Sequence, residues 1–127
     1  MRTIRFRGFN AKNNQWLYGS HIINRGKHFV APDEFADDKT WEDYEVETET
    51  VGQFTGLHDK NGREIYEGDI VRHDENGECF VVVYDAPEFC YKDNSFGYRF
   101  MVYTSELITV IGNIHDNPEL LEKGGKQ

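Results

Sequence analysis

Cysteines are few in this sequence, and long hydrophobic runs are absent. The two cysteines, Cys79 and Cys90, stand alone rather than in a Cys-x-x-Cys pair. Cys79 lies in an apolar segment, where a thiol packs as a small hydrophobic group, so we expect no structural disulfide. No apolar run approaches the roughly 20 residues that span a bilayer. The N-terminus alternates charged and apolar residues, whereas a signal peptide needs a continuous apolar stretch. We therefore expect no membrane partner and a cytoplasmic location.

Motifs for nucleotide and calcium binding are also missing. Gly8 and Gly19 are isolated, whereas phosphate-binding loops need several glycines between a strand and a helix. Residues 59–62 and 74–77 resemble fragments of calcium loops, but they lack the ligand spacing of an EF-hand. Both segments end in Asn-Gly, a pair that favours tight hairpin turns. We interpret them as turns and predict no cofactor.

One group of acidic and histidine residues is a candidate for metal chemistry. It consists of His58, Asp59, Asp69, His73 and Asp74. Imidazole and carboxylate groups bind divalent metals, so a metal-dependent hydrolase built around Asp69, His73 and Asp74 is one alternative function. No His-x-His, His-Glu-x-x-His or His-x-x-x-His spacing places two imidazoles on one face. Scattered histidines are more often solvated side chains than ligands, so we predict no metal site.

Nucleophilic catalysis would require more than the two thiols. A reactive cysteine needs a positioned histidine and a lowered thiol pKa, and the sequence indicates neither for Cys79 or Cys90. We predict no catalytic residue and a protein that is not an enzyme.

The sequence is nevertheless rich in aromatic residues and has the length of one domain. Aromatic side chains make up 14% of the 127 residues, and their large buried areas offset a modest aliphatic content. A chain of this length can bury a core without disulfides. We predict a single domain over residues 1–127.

Strand patterns dominate the chain. Residues 3–9 alternate Ile4 and Phe6 with Arg5 and Arg7, which predicts a half-buried strand with Ile4 and Phe6 toward the core and the arginines toward solvent. A turn-rich break then predicts a hairpin with a second strand at 16–23. Further strands are predicted at residues 27–31, 79–84, 97–103 and 107–114. Residues 67–71 are predicted to lead into a strand. Residues 44–51 are predicted to form a strand at the edge of a sheet.

Two segments do not follow the strand pattern. Residues 32–43 are acidic and unpatterned, which predicts a loop that Phe35 and Trp41 could anchor. Near the C-terminus, Asn117 before Pro118 and an acidic residue predicts a capped helix of a few turns, ended by the glycines at 124 and 125.

The charge is unevenly distributed. Residues 1–28 carry a net charge of +6, residues 29–49 carry −8, and the whole chain carries −9. The two segments could lie close together and partly neutralise each other. A strongly acidic protein is also a poor non-specific ligand for nucleic acid.

Each charged segment suggests a binding surface as an alternative to a plain solvated face. Arg5, Arg7 and Lys12 are interleaved with aromatic residues, a combination that binds nucleic acid or another anion through phosphate pairing and stacking. Residues 33–49, here called the acidic segment, could instead present carboxylates to a basic host protein.

Three segments of the chain resemble the YopX family, small proteins encoded by temperate phages and prophages of bacteria. The strongest is residues 53–71, QFTGLHDKNGREIYEGDIV, with Phe54 and His58 at positions that the family varies. Residues 2–7, RTIRFR, resemble the family's N-terminal strand, and residues 110–121, VIGNIHDNPELL, resemble its C-terminal signature.

The resemblance implies an all-β fold, mainly antiparallel, with bifurcated barrel-like sheets and homo-oligomers as one assembly. It implies no reaction, ligand or catalytic residue. In physical terms the central signature is structural: we expect Gly56, Gly62 and Gly68 at turns or bulges, and Asp59 and Asn61 as turn caps.

Three functions follow as hypotheses. The first is a non-enzymatic phage or prophage accessory protein in the bacterial cytoplasm, which binds an unknown host or phage protein through the acidic segment or exposed edge strands. The second is a nucleic-acid-binding module that uses Arg5, Arg7 and Lys12. The third is the metal-dependent hydrolase.

Overall fold

The computed structural model describes residues 4–34, 36–74, 77–85, 88–92, 98–100 and 107–124. The chain divides into two compact units, Met1–Phe54 and Thr55–Gln127. Within the described residues the strands are β1 (Phe6–Asn10), β2 (Gln15–Asn24), β3 (Lys27–Ala31), β4 (Glu45–Val46), β5 (Gly52–His58), β6 (Glu64–Tyr66), β7 (Asp69–His73), β8 (Cys79–Asp85), β9 (Glu88–Lys92), β10 (Tyr98–Phe100) and β11 (Ile108–Asn113). The helical elements are two 3-10 turns, η1 (Trp41–Tyr44) and η2 (Thr48–Thr50), and the helix α1 (Glu119–Gly124).

The all-β fold class is confirmed. The pairings between neighbouring strands are antiparallel, and the strands belong to two sheets accompanied by one short helix in the part of the chain that is described. The strand order of each sheet runs from one edge to another. Neither sheet therefore closes into a barrel within the described residues.

Across the described residues, no helix is both long and apolar enough to cross a bilayer.

The first unit is built on the predicted N-terminal hairpin. β1 pairs with β2, with Phe6 opposite Gly19 and Asn10 opposite Gln15, which confirms the hairpin. The other edge of β1 pairs with the start of β5, where Phe6 lies opposite Gln53. The strand order in this unit is β4-β3-β2-β1-β5. β1 is therefore an interior strand, with a neighbouring strand on each of its two edges.

The predicted orientation of β1 is wrong. Ile4 is 70% exposed, whereas Arg7 is only 5% exposed. The Arg7 guanidinium lies 4.9 Å from the ring centre of Trp16, and that of Arg5 lies 5.2 Å from the ring centre of Phe54. Stacking on aromatic rings lets arginine cover apolar surface. The alternation in the sequence shows that two faces differ, but it does not show which face the rest of the chain covers.

The predicted third strand is confirmed as β3, which forms a second hairpin with β2. Asn24 lies opposite Lys27, so Arg25 and Gly26 form a two-residue turn. Both have positive φ, 54° and 80°, as a type I′ turn requires. Arg25 is one of two non-glycine residues with positive φ among those described.

The acidic segment differs most from the prediction. The strand predicted at 44–51 is wrong, because only Glu45–Val46 forms a strand and η1 and η2 flank it. The predicted Trp41 anchor is confirmed, since the Trp41 ring packs edge to face on Phe29 with centroids 5.4 Å apart. The other predicted anchor, Phe35, lies outside the described residues.

The second unit holds a five-stranded sheet in the order β10-β9-β8-β7-β11. The predicted strands at 79–84 and 107–114 are confirmed, the segment at 67–71 leads into β7, and the described part of 97–103 contains β10. β5, β6 and β9 were not predicted. The buried core of this unit is made of Ile65, Val71, Phe80, Val82, Ile108 and Val110, with Leu57 packed against it.

The predicted C-terminal helix is confirmed as α1, which ends at Gly124. The Asn117 side chain lies on Gly112, where an added Cβ would come 2.5 Å from Asn117 Oδ1. Asn117 Oδ1 also accepts a hydrogen bond from the Asn113 backbone N–H at 3.3 Å. The asparagine therefore fixes the turn between β11 and α1.

Candidate functional site

A cleft in the first unit is the best-defined concave site in the described residues. Its volume is about 640 Å³, which is within the size range of ligand sites. We call it the acidic cleft, because four glutamates line it and lysine is its one basic residue. The lining residues are Asn10, Ala11, Lys12, Glu42, Glu45, Val46, Glu47, Thr48 and Glu49.

The buried side chain of Asn10 holds the wall of the acidic cleft in place. Asn10 is 1% exposed, and its Nδ2 donates to the backbone carbonyls of Glu42 (3.2 Å), Asp43 (3.2 Å) and Glu45 (2.7 Å). Its Oδ1 accepts a hydrogen bond of 2.6 Å from the Asn13 backbone N–H. One amide thus binds both the turn after β1 and the backbone of η1 and β4. Because β1 is a sheet strand, this wall is attached to a rigid element.

Thr50 provides a second attachment between the acidic segment and β1. Its Oγ1 accepts a hydrogen bond of 2.9 Å from the Phe9 backbone N–H and donates one of 2.6 Å to the Glu47 carbonyl. The Glu47 backbone N–H donates in turn to the Phe9 carbonyl at 3.0 Å. These bonds use backbone groups that a strand would have paired with a neighbouring strand. They explain why the alternating pattern at 44–51 does not form a long strand.

Close packing at Gly8 brings the acidic segment against the sheet. A Cβ added at Gly8 would lie 2.8 Å from the Val46 side chain. Real Cβ contacts are longer than this, so only glycine leaves room for Val46 at this point of β1. Val46 is 5% exposed, and its burial fixes the middle of the cleft wall.

Asp43 neutralises the one lysine of the acidic cleft. Lys12 Nζ lies 3.2 Å from Asp43 Oδ1, and Asp43 also accepts hydrogen bonds from the Thr40 backbone N–H and from Asn13 Nδ2. These partners lower the pKa of Asp43, with the Thr40 bond as the largest cause, followed by Asn13 and Lys12. The positive charge of Lys12 is therefore directed at Asp43 rather than at the four glutamates that line the cleft.

The three predicted basic residues do not form one exposed surface. Arg7 is buried against Trp16, Arg5 is half-buried over Phe54, and Lys12 is paired with Asp43. A phosphate-binding face needs cations that can reach solvent, and among these three only Arg5 and Lys12 meet that condition in part.

The predicted acidic and histidine group does not converge on a metal. In the described part of the chain, which includes all five residues, no three His, Cys, Asp or Glu side chains are placed to hold an ion. Asp74 Oδ2 pairs with Lys60 Nζ at 2.9 Å, and this contact is the main cause that lowers the Asp74 pKa. Asp59 and Asp69 are buried and bind backbone groups.

The thiol of Cys79 is also not prepared for nucleophilic chemistry. Burial raises the pKa of Cys79, and the nearby Arg72 charge offsets this only in part. A raised pKa lowers the thiolate fraction, which is the opposite of what a nucleophilic cysteine requires. The side chain of Cys90 lies outside the described residues.

Comparison with known proteins identifies the family. A family model described as YopX protein matches residues 5–122, nearly the whole chain. The chain belongs to the YopX family. Its structure is similar to the crystal structure of protein EF1440 from Enterococcus faecalis, with a TM-score of 0.62 and 23% sequence identity over 95% of this chain and 99% of that chain. At this identity the similarity shows the fold alone. No curated protein matches the sequence.

The central segment of this YopX protein has the structural role that its sequence predicts. Asp59 Oδ1 accepts hydrogen bonds from the backbone N–H groups of Asn61 and Arg63, both at 2.9 Å, and Gly62 has a φ of 86°. The predicted Asp59 cap is therefore confirmed. Asp59 Oδ2 also accepts the Val110 backbone N–H at 2.9 Å, which attaches this turn to β11.

A second buried carboxylate in the YopX segment is structural as well. Asp69 is 1% exposed, and its Oδ2 accepts the Tyr66 backbone N–H at 2.7 Å. The predicted turn position of Gly68 is confirmed by a φ of 93°. The Gly68 backbone also donates to Val82 and accepts from Ile114.

Sequence reasoning missed two features of the first unit. The first feature is the buried side chain of Asn10, which belongs to the turn-rich break after the first predicted strand. An asparagine at this position is only a weak signal for a side-chain hydrogen bond. His21 and His28 lie seven positions apart, and only the β2–β3 hairpin brings their imidazoles together.

Proposed function

We propose that this YopX protein is a non-enzymatic accessory protein of a phage or prophage, which acts in the bacterial cytoplasm and binds a basic segment of a host or phage protein in the acidic cleft. The main support for this proposal is the composition of the cleft. Four glutamates line it, and its one lysine is paired with Asp43. The family membership supports the phage or prophage origin. The homo-oligomer that the YopX resemblance implies stays a prediction.

The charge of the acidic cleft favours a cationic guest. Glu42, Glu47 and Glu49 are exposed, and Glu45 is half-buried. Arginine and lysine form their strongest hydrogen bonds with carboxylates, and arginine can bind one carboxylate with two parallel bonds. A volume of about 640 Å³ accommodates side chains of a peptide segment rather than a folded surface.

The attachment of the cleft wall supports recognition rather than a plain solvated loop. Asn10 and Thr50 hold the backbone of the acidic segment at both sides of β4. A wall whose backbone is already ordered loses less conformational entropy when a ligand binds. This preorganisation distinguishes the cleft glutamates from the exposed acids at Asp33, Asp37 and Asp38.

Variants with matched charge changes test the proposal. The triple variant Glu42→Gln, Glu47→Gln and Glu49→Gln removes three charges from the acidic cleft. The control variant Asp33→Asn, Asp37→Asn and Asp38→Asn removes three charges from the same segment outside it. Each tagged protein captures partners from a bacterial lysate at moderate salt, with and without nuclease, and mass spectrometry identifies them.

The expected result is a protein partner retained by the parent and by the control but lost from the cleft variant. The partner's binding segment, made as a peptide, should then bind the parent in calorimetry and weaken as salt rises. Equal retention by the cleft variant and the parent would exclude the acidic cleft. Recovery only in the absence of nuclease would favour nucleic-acid binding instead.

A further inference from the structure

The β2–β3 hairpin places two histidines on one face of the first sheet. His21 lies opposite Val30 and His28 lies opposite Ile23, so the two histidines are diagonal neighbours whose side chains point to the same side. The turn at Arg25 and Gly26 fixes this register. The pairing therefore does not depend on a flexible loop.

The two imidazoles meet through their nitrogen atoms. His21 Nε2 lies 2.8 Å from His28 Nδ1, and the ring centroids are 5.1 Å apart with planes 20° from each other. Because the nitrogens are closer than the centroids, they face each other across the gap. Between two neutral rings one nitrogen donates a proton and the other accepts it. Both rings are half-buried, so solvent reaches them.

A pair of imidazole nitrogens at this distance can also bind a metal ion. Imidazole is a ligand of Zn²⁺, Ni²⁺ and Cu²⁺, with bonds of about 2.0 Å. At that bond length, adjacent positions around a square-planar or tetragonal ion are about 2.8 Å apart, whereas tetrahedral positions are about 3.3 Å apart. The observed 2.8 Å is a hydrogen-bond length, and it is also close to the spacing of adjacent tetragonal positions, so a small movement of the rings admits the ion.

We propose that His21 and His28 form a two-histidine site for a tetragonal divalent transition-metal ion, with Cu²⁺ bound more tightly than Ni²⁺ or Zn²⁺. The ion takes the place of the shared proton, which moves through solvent to the other nitrogen of the ring that carried it, so that both imidazoles stay neutral. Each ring then turns so that its lone pair points at the ion. No third His, Cys, Asp or Glu joins the pair within the described residues, so water completes the coordination. The site uses none of the cleft glutamates, although His28 lies opposite Val46 of the cleft wall where β3 pairs with β4.

The surroundings of the pair suit a metal ligand. Burial, and then the neighbouring His28, lower the pKa of His21. The Phe6 ring packs against the imidazole of His21, with the ring centroids 5.4 Å apart. An ion bound only to the folded hairpin would stabilise the first unit.

Metal titrations of the tag-free protein test the site. The probes are CuCl₂, NiCl₂ and ZnCl₂ in a non-chelating buffer, followed by calorimetry and, for Cu²⁺, by electron paramagnetic resonance. We expect one equivalent of Cu²⁺ with a tetragonal spectrum that shows nitrogen coupling. His21→Gln and His28→Gln should each weaken Cu²⁺ binding by roughly tenfold or more. The control His115→Gln changes an exposed histidine and should leave binding unchanged.

A measurement on the unmodified protein tests the site without variants that could misfold. Substoichiometric Cu²⁺ broadens the NMR signals of nearby protons, so the imidazole signals of His21 and His28 should disappear before those of His58 and His115. Absence of saturable binding, equal affinity of the His28→Gln variant, or earlier broadening at His58 or His115 would overturn the site. Tighter binding of Zn²⁺ than of Cu²⁺ would overturn the tetragonal preference.

Discussion

A single buried amide organises the candidate site. Asn10 binds three carbonyls that lie 32 to 35 residues away along the chain, and it also closes its own turn through Asn13. A buried polar group is tolerated only when its hydrogen bonds are made. Asn10 satisfies this condition by joining two segments, which makes it structural and gives the acidic cleft its shape.

The substitution Asn10→Ala should destabilise the protein by about 2–3 kcal/mol, because it leaves buried carbonyls without their donor. Chemical denaturation monitored by circular dichroism measures this loss as a lower midpoint. The same substitution should weaken the binding of the partner segment, since the cleft wall loses its attachment.

Asn61→Ala is the matched control, because the Asn61 side chain is exposed. It should change stability by less than about 0.5 kcal/mol. If both variants unfolded at the same denaturant concentration, Asn10 would not be the attachment that its hydrogen bonds indicate.

Residue roles were predictable where the partners are close in sequence. The Asp59 cap follows from an Asp-x-Asn-Gly turn, since its Asn61 and Arg63 partners lie within four residues. The burial of Arg7 against Trp16 and the bonds of Asn10 to the acidic segment depend on residues nine or more positions away. No local pattern encodes such partners, so the predicted solvated arginine face was wrong.

Elements were predictable where alternation and turn residues agree. The β1–β2 hairpin, β3, β8 and β11 combine both signals, and all are confirmed. Residues 44–51 also alternate, yet Thr50 and Asn10 bind the backbone of this stretch, which forms 3-10 turns on both sides of β4. Side-chain to backbone bonds of this kind compete with strand pairing and leave no periodic signal.

The β2–β3 turn contains a residue that is poorly suited to its conformation. Arg25 has a φ of 54°, in the left-handed region that asparagine and glycine tolerate best. Asn-Gly is the preferred pair for a type I′ turn. Arg25→Asn should therefore stabilise the protein by up to about 1 kcal/mol, measured as a higher denaturation midpoint.

Arg25→Gln separates the backbone effect from the loss of a positive charge. Glutamine removes the same charge but has no preference for positive φ, so this variant should not gain the stability of Arg25→Asn. Equal midpoints for the two variants would show that the charge, rather than the turn conformation, controls stability here.

At the scale of the whole molecule, the charge distribution limits the partners. The chain carries a net charge of −9, although residues 1–28 carry +6. Part of that positive charge is neutralised or covered, as the Lys12–Asp43 pair and the burial of Arg7 show. An acidic protein attracts basic partners from a distance and repels polyanions. The overall charge therefore supports a basic protein segment over nucleic acid as the partner.

This preference leads to a prediction for nucleic acids. At physiological salt, labelled single- and double-stranded DNA should bind the protein with dissociation constants at or above about 100 µM, because the net charge of −9 repels the phosphates and Arg7 is buried. Fluorescence anisotropy at several salt concentrations measures the binding. Arg5→Gln tests the predicted basic surface without disturbing the buried Arg7, and Arg63→Gln removes an exposed arginine of the second unit as its control. The opposite outcome is tight binding that weakens steeply with salt and is lost in the Arg5→Gln variant alone. Arg5 would then contact phosphate, and the partner would be nucleic acid bound near β1 rather than a basic protein segment.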